Sequence, residues 1–284
     1  MSFEPSEQLV WDQLAAELGV QVAEFPGVVG VCVRDLTSGR QFGLRDEELF
    51  PTASSIKMCI LAHLLERAER GELDLDAKFS VSSAQHVPGS GVLTYLDDEV
   101  LLSKRDVASL MIIVSDNTAT NLCIDWATYE GVAEMLGRLG LKRTRLVRKM
   151  QDFAAVNRGD ENLSTPADFV EFLSILHRAE KLSETVCAET LRILRKPKHG
   201  FLAPAMPDTV ALANKPGGMD RVRNDAGIVF LERRPYAVCI MSKFSTTNLV
   251  AQEQAVTEVA GVVYKYFDVL DRVSPWGQGL ALTL

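Results

Sequence analysis

The chain has 284 residues, 47% of them hydrophobic and 24% charged, with a formal net charge of −8. That length is enough to bury a sizeable core in one large domain or in two closely packed lobes. The acidic balance argues against a nucleic-acid partner, since proteins that bind nucleic acids present basic faces. No apolar run approaches the ~20 residues of a membrane span, so no membrane contact is expected either.

The N-terminus and the cysteines bear on where the protein works. The first residues, MSFEP, lack a basic region followed by an apolar core, so no signal peptide is visible. We therefore expect a cytoplasmic protein, or an exported one whose signal peptide is absent from this sequence. Five scattered cysteines lie in apolar runs and predict buried, reduced thiols, and no Cys/His spacing indicates zinc. We expect no metal and no cofactor, and the sequence leaves the oligomeric state open.

Strand patterns occur near both ends of the chain. Helical spacing of apolar residues over 6–18 predicts a first helix that Gly19 is expected to end, and a long helix over 249–271 closes the chain. The predicted strands cover residues 27–35, 41–44, 210–214, 226–232 and 236–243.

Helical patterns dominate the middle of the chain. Ser103 and Asp106 match a capping box, and Thr165 with Pro166 supplies a cap and a first-turn proline. The polar stretch 145–163 shows no clear period and is interpreted as a long, functional loop. The predicted helices cover residues 56–70, 107–114, 117–128, 132–139, 166–178 and 183–194.

Strands at both ends and helices between them predict an α+β fold. The natural closure pairs the N-terminal hairpin with the C-terminal meander in one antiparallel five-stranded sheet, covered by the terminal helices. An all-α lobe is then inserted into the α/β lobe. We expect a single domain over 1–284, with an α/β lobe of residues 1–49 plus 200–284 and an all-α lobe of residues 50–199.

The first functional candidate is the stretch FPTASSIK, residues 50–57, which leads into the helix predicted over 56–70. Ser54 falls at the helix start and Lys57 lies one turn later, so the amine can reach the hydroxyl. A nearby base activates serine as a nucleophile, and free N–H groups at a helix start suit a developing oxyanion. Taken alone, however, Ser-x-x-Lys is more often a helix cap followed by a solvated lysine.

Two further stretches accompany this pair. SDN at 115–117 interrupts two helical runs, and KPGG at 215–218 ends the first strand of the predicted meander. Ser-x-x-Lys, Ser-Asp-Asn and a near match to Lys-Thr-Gly, in that order, make the chain resemble class A β-lactamases and penicillin-binding proteins. The flanking segments FP, TATN and STP extend the resemblance over nearly the whole chain. The resemblance implies a class A β-lactamase-like fold.

The resemblance also implies catalytic roles. Ser54 would be the acylating nucleophile and Lys57 its base, kept neutral with the help of a second cation, Lys215. Ser115 would carry a proton to the leaving nitrogen. In isolation, a solvated Lys215 and a helix cap at Ser115 would be the better interpretations, but the three motifs together favour the catalytic one.

Substrate-binding roles follow in the same way. Asn117 would hold the amide carbonyl of the substrate, although alone it would be taken as a turn residue. The backbone N–H groups of Ser54 and Gly218 would form the oxyanion hole, with Gly217 beside them in the substrate-binding strand. Asp116 is expected to fix its loop by hydrogen bonds.

The polar loop departs from the family pattern. Met150 stands where the family carries the glutamate that activates the deacylating water, and Asp152, two residues on, is the candidate substitute. Asn162 stands where an aspartate usually latches the loop to its arginine, which predicts a weaker latch.

The third motif also departs, because Pro216 replaces its hydroxyl residue. The proline removes a hydrogen-bond donor for the substrate carboxylate and a backbone N–H. Arg221 or Arg223 is the candidate replacement contact.

The function that the resemblance implies is a serine hydrolase that cleaves a β-lactam or a related peptide-like amide through an acyl-Ser54 intermediate, with slow deacylation. Three alternatives stay open: a peptidase or esterase of the same fold, a glutaminase-type amidase, and a non-catalytic penicillin-binding protein. Hydrolysis of amide and ester panels, ammonia release from glutamine, and turnover after acylation would distinguish them.

Overall fold

The computed structural model describes residues 5–97, 100–274 and 276–280. Residues 1–4, on which the expectation about a signal peptide partly rests, lie outside this part of the chain. Among the helices described, none is both long enough and apolar enough to cross a membrane. The expected fold is confirmed, because the chain is an α+β protein built on a five-stranded antiparallel sheet.

Both ends of the chain contribute to that sheet. The elements of this part are α1 (Pro5–Glu24), β1 (Val28–Asp35), β2 (Gln41–Leu44), β7 (Ala211–Met219), β8 (Val222–Phe230), β9 (Tyr236–Lys243) and α9 (Leu249–Arg272). The strand order is β2-β1-β9-β8-β7, so the N-terminal hairpin pairs with the C-terminal meander through β1 and β9. The structure has two hydrophobic core clusters, one on each face of the sheet. One lies between the sheet and the terminal helices α1 and α9, and the other lies between the sheet and the helices of the inserted segment.

The inserted segment is mainly helical. Its helices are α2 (Lys57–Glu69), α3 (Lys104–Ile113), α4 (Asn117–Ala127), α5 (Tyr129–Leu139), α6 (Phe153–Asn157), α7 (Pro166–Arg178) and α8 (Glu184–Leu194). Two short antiparallel pairs join them, which the expectation of an all-α lobe did not include. They are β3 (Phe50–Pro51) with β6 (Leu163–Ser164), and β4 (Lys78–Ser80) with β5 (Leu101–Ser103).

The first helix does not end at Gly19, contrary to the expectation from sequence. It runs on to Glu24, because the apolar stripe continues with Val22 in the helix and Phe25 just beyond it, both buried beneath the sheet. Burial of such side chains outweighs the roughly 0.5–1 kcal/mol that a helical glycine costs.

The hairpin of β7 and β8 is longer than its sequence pattern indicates. The KPGG motif was expected at the end of a strand, but it lies inside β7, with Lys215 paired to Ala226 and Gly218 to Arg223. Only Asp220 and Arg221 separate the two strands. Proline and glycine are tolerated here because β7 is an edge strand, with one neighbour to satisfy.

Candidate active site

Ser54 lies in a 3-10 turn, Ala53–Ile56, that runs directly into α2. The turn packs against β7 so closely that a Cβ at Gly217 would lie 2.9 Å from the backbone nitrogen of Ser54. Ala53 has a φ of 45°, a left-handed conformation that costs a non-glycine residue free energy and is enriched at functional sites. The serine is thus held at the junction of the helical segment and the sheet.

Ser115 meets two lysines from different elements. It lies between α3 and α4 in a left-handed conformation, with a φ of 54°. Lys57 Nζ donates to its carbonyl oxygen at 2.8 Å and to its Oγ at 2.9 Å. Lys215 Nζ donates to the same Oγ at 3.2 Å. The amine of Lys57 is therefore directed at Ser115, and among the described residues neither lysine hydrogen-bonds the Ser54 hydroxyl.

Burial changes the protonation of both lysines. Lys57 is fully buried, and desolvation, followed by repulsion from Lys215, holds the pKa of its amine well below the usual value. Desolvation also lowers the pKa of Lys215 to about 7, against the opposing attraction of Asp225. A neutral amine is a competent base. Burial and the nearby Lys215 thus give a physical reason for the expectation that Lys57 is kept neutral.

A buried polar cluster around Asp225 stabilises the charged form of Lys215. Asp225 on β8 is fully buried and accepts hydrogen bonds from Asn214 Nδ2 at 2.9 and 3.0 Å. It also accepts from the backbone N–H groups of Phe201 and Leu202 at 2.8 and 3.1 Å. Burial raises the pKa of the Asp225 carboxyl, and these donors work against that rise. The sequence reasoning missed this cluster, although an acid directly before the apolar run of β8 could have pointed to it.

The residues after Ser115 in the second motif, Asp116 and Asn117, make hydrogen bonds that hold the neighbouring segments of the site. Asp116 caps α4 by accepting from Ala119 N at 2.9 Å, and its other oxygen accepts from Val92 N and Leu93 N. It therefore fixes the loop, as expected from sequence. Asn117 begins α4, and its Nδ2 donates to Pro88 O at 2.9 Å.

The polar loop presents Met150 to the same site. Its backbone is held on both sides by one side chain, because Met150 N donates to Asn121 Oδ1 at 2.8 Å and Asn121 Nδ2 donates to Met150 O at 3.2 Å. Met150, Asp152 and Ser54 all line one small pocket of about 280 Å³. One oxygen of Asp152 caps α6 by accepting from Ala155 N at 2.9 Å. No role was predicted from sequence for Asn121, which lies four residues after Asn117.

The two ends of the polar loop are held together by contacts that differ from the expected ion pair between Arg148 and residue 162. Asn162 Oδ1 accepts from Val147 N at 2.7 Å and from Arg148 N at 3.1 Å. Arg148 forms its ion pair with Glu161 instead, with 2.7 Å between Nη2 and Oε1. The amide of Asn162 therefore binds the backbone and the neighbouring acid supplies the charge, which the sequence pattern alone did not indicate.

The main cleft extends from Ser54 towards the start of α9. It has a volume of about 990 Å³ and is lined by Ser54, Ser115, Lys215, Gly218 and Arg223, among others. The predicted catalytic and binding residues thus line one cleft and the adjoining small pocket, except Lys57, which is fully buried and contacts the cleft residue Ser115. Among the described residues, no group of three or more His, Cys, Asp or Glu side chains could hold a metal ion.

The chain is similar to known proteins over most of its length. Residues 10–267 fit the family model of the β-lactamase enzyme family. The chain belongs to the β-lactamase enzyme family. It is 26% identical to β-lactamase SME-1 of Serratia marcescens over 266 residues, covering 90% of each chain. It is 28% identical over 232 residues to an imipenem-hydrolyzing β-lactamase of Enterobacter cloacae, covering 79% of this chain and 78% of that one.

Solved structures of the family agree with the fold. A β-lactamase from Sphaerobacter thermophilus superposes with a TM-score of 0.84 at 27% identity, covering 91% of this chain and 98% of that chain. The structure of PBP-A superposes with a TM-score of 0.81 at 26% identity, covering 90% and 96%. As a member of this family, the protein is a β-lactamase-like serine hydrolase that acts on amide bonds.

Proposed function

We propose that this β-lactamase-family enzyme opens a β-lactam or a related peptide-like amide through an acyl-Ser54 intermediate and releases the acyl group slowly. The observation that carries the proposal is the Ser115 hydroxyl, which accepts hydrogen bonds from both buried lysines beside Ser54. In this proposal, neutral Lys57, one helical turn from Ser54, is the base for the nucleophile, and its contact with Ser115 provides a route for the proton.

Acylation would use the residues around the main cleft. Neutral Lys57 takes the proton of Ser54 as its oxygen forms a bond to the substrate carbonyl carbon. The backbone N–H groups of Ser54 and Gly218 stabilise the resulting oxyanion. As the C–N bond breaks, protonated Lys57 gives this proton through Ser115 to the leaving nitrogen. Asn117 at the start of α4 holds the amide carbonyl of the substrate.

Deacylation would lack the usual help. Water must lose a proton to a base beside the ester, and Met150 offers no basic group, since its thioether is only a weak hydrogen-bond acceptor. General-base catalysis is typically worth a factor of about 10²–10⁴ in rate. One oxygen of Asp152 is engaged in capping α6, which disfavours it as the substitute.

The absence of a base on Met150 favours a second candidate, a penicillin-binding protein that is acylated and turns over hardly at all. Among the structural neighbours, a mutant of PBP-A has been solved as an acyl-enzyme complex with penicillin-G, at a TM-score of 0.81 and 25% identity. The two candidates share the acylation step and differ only in the lifetime of the adduct.

Intact-mass spectrometry combined with steady-state turnover tests the proposal. The protein is mixed with a penicillin or with a chromogenic cephalosporin, and the acyl adduct and the product are followed together. We expect one adduct per chain to form in a burst, followed by slow product release. Persistent adduct without product would favour the binding protein, and absence of any adduct would contradict the acyl-Ser54 mechanism.

A further inference from the structure

A histidine is buried in the helical segment, outside the linings of the cleft and of the small pocket. His63 lies in the middle of α2 and is only 3% exposed. Among the described residues, neither of its ring nitrogens has a hydrogen-bond partner. Its Nδ1 lies 3.5 Å from Oε2 of Glu66, one turn later on the same helix, which is too long for a good hydrogen bond. Buried polar groups nearly always have partners, so this ring is an exception with a possible role beyond packing.

The ring of His63 faces the first turn of α5. A Cβ at Gly131 would lie 2.5 Å from His63 Nε2, so a glycine leaves room for the ring at this contact. Thr128 caps this end of α5, since its Oγ1 accepts from Gly131 N at 3.0 Å. The start of a helix is the positive end of its dipole. The contact therefore favours an uncharged ring over an imidazolium.

The charged groups around this contact come from α2 and α5. Arg138 of α5 binds Glu66 of α2, with its Nη2 donating to Oε1 at 2.6 Å and to Oε2 at 2.8 Å. Arg67 and Arg70 lie on α2, and Nη2 of Arg70 is 3.9 Å from Glu66 Oε2. Glu134, one turn beyond the close contact on α5, is exposed. The carboxylate of Glu66 is thus the link between the two helices beside the ring.

Burial keeps the His63 ring neutral. It lowers the pKa of the imidazole from its usual value, while Glu66 opposes this effect and Arg67 and Arg70 add to it. A ring that took up a proton would need an anionic partner. The carboxylate beside it, that of Glu66, already binds Arg138.

We propose that His63 is an acid-sensitive switch between α2 and α5, in which a proton on its ring draws Glu66 away from Arg138 and releases α5 from α2. The folded contact binds the proton less readily than an opened one, in which the ring is hydrated. The contact is therefore complete above about pH 6.5, the ordinary pKa of histidine, and is lost as the pH falls below that value. The inference does not depend on the proposed function, because Ser54 and Lys57 take no part in it.

Two measurements test the switch. NMR of the imidazole, assigned by through-bond correlation to the backbone, gives the pH at which His63 titrates, and we expect a midpoint below about 6.5. Hydrogen exchange read by mass spectrometry gives the opening of α5, corrected for the intrinsic pH dependence of exchange. In the unaltered protein we expect opening to increase as the pH falls below about 6.5, by up to about tenfold per pH unit, the limit for one linked proton. In His63→Gln, whose side chain cannot be protonated, this increase should be lost.

Two further variants separate the switch from general acid sensitivity. His177→Gln makes the same change at a partly buried histidine of α7 and should leave the pH dependence of α5 opening as it is in the unaltered protein. Glu66→Gln removes the carboxylate that attracts the proton and should lower the pH at which His63 titrates still further. Equal pH dependence of α5 opening in His63→Gln and in the unaltered protein would overturn the inference. A His63 midpoint at or above about 6.5 in the unaltered protein would overturn it as well, even if His63→Gln did not fold.

Discussion

Two walls of the same site differ in how complete their chemistry is. On the wall around Ser115, two buried lysines converge on one hydroxyl from positions 58 and 100 residues away in the chain. On the loop wall, the backbone of Met150 is held by two hydrogen bonds to Asn121. Yet the side chain presented there carries no base. Under the proposed function, the loop that would support deacylation is thus held in place, but position 150 lacks the base that this step would use.

The difference shows that positioning and reactivity are separable in this fold. The loop is fixed by Asn121 from α4 and by Asn162 at its base, through contacts to main-chain atoms that any residue other than proline at position 150 could make. The wall around Ser115 has no such freedom, because its hydrogen bonds are made by the side chains of Lys57, Lys215 and Ser115 themselves. We therefore expect substitutions on the wall around Ser115 to abolish acylation, and one substitution on the loop wall to increase turnover.

The largest expected effect is the loss of acylation in Ser54→Ala. Without the hydroxyl there is no nucleophile, so turnover and the covalent adduct should both disappear. The measurement is intact mass after incubation with a penicillin. Ser55→Ala is an informative comparison, because the Ser55 hydroxyl donates to Lys215 O at 3.1 Å and is not expected to react. A labelled adduct that persists in Ser54→Ala would place the nucleophile elsewhere.

The second prediction concerns the loop wall. Met150→Glu should shorten the life of the acyl-enzyme by a factor of up to about 10²–10⁴, because it supplies the missing general base at a backbone position that is already fixed. The decay of the adduct mass after removal of free penicillin measures this directly. Met150→Gln, similar in size but unable to accept a proton, is the matched control.

Fast turnover of the unaltered protein without a burst would contradict the assignment of Met150. In that case Asp152→Asn distinguishes two explanations. Lost turnover would identify Asp152 as the base, and retained turnover would indicate that Lys57 serves both steps.

The fold could be predicted from the sequence where local patterns agreed with tertiary contacts. The capping box of Ser103 and Asp106 and the first-turn Pro166 marked real helix starts. The errors occurred where tertiary contacts outweighed local preference. Gly19 continues a helix because its neighbours are buried, and the KPGG motif lies inside a strand because β8 pairs with it. The short helix α6 lacks the length over which a period becomes visible.

The site could be predicted only as far as its motifs reach. The ordered motifs named the residues that meet around Ser54, although no periodicity could show that Ser115 lies between two lysines. Supporting residues carried no such signal. Glu253 pairs with an arginine 30 residues away on another element, and Asn121 acts through main-chain contacts that its identity alone does not imply.

The third prediction is a pH profile for acylation. Burial and the charge of Lys215 lower the pKa of Lys57, so its neutral form is populated at a lower pH than that of an ordinary lysine, whose pKa is about 10.4. The acylation rate should therefore rise with pH up to this lowered pKa and then level off. Lys215→Met removes the repelling charge and should move the rising limb to higher pH. A profile that stays flat from mild acid to alkaline pH would argue for another base.

The smallest expected effect concerns Pro216, which lines the cleft beside Lys215. Pro216 lies in β7 between Lys215 and Gly217, where a threonine could offer both a hydroxyl and a backbone N–H to a substrate carboxylate. A hydrogen bond to a charged group contributes about 1.5–3 kcal/mol, so Pro216→Thr should lower KM for penicillins about tenfold or more. The methyl ester of the same penicillin, which lacks the charge, should benefit much less and serves as the control. If KM for the acid is unchanged or rises, its carboxylate is bound away from β7, and the arginines of the hairpin become the groups to vary next.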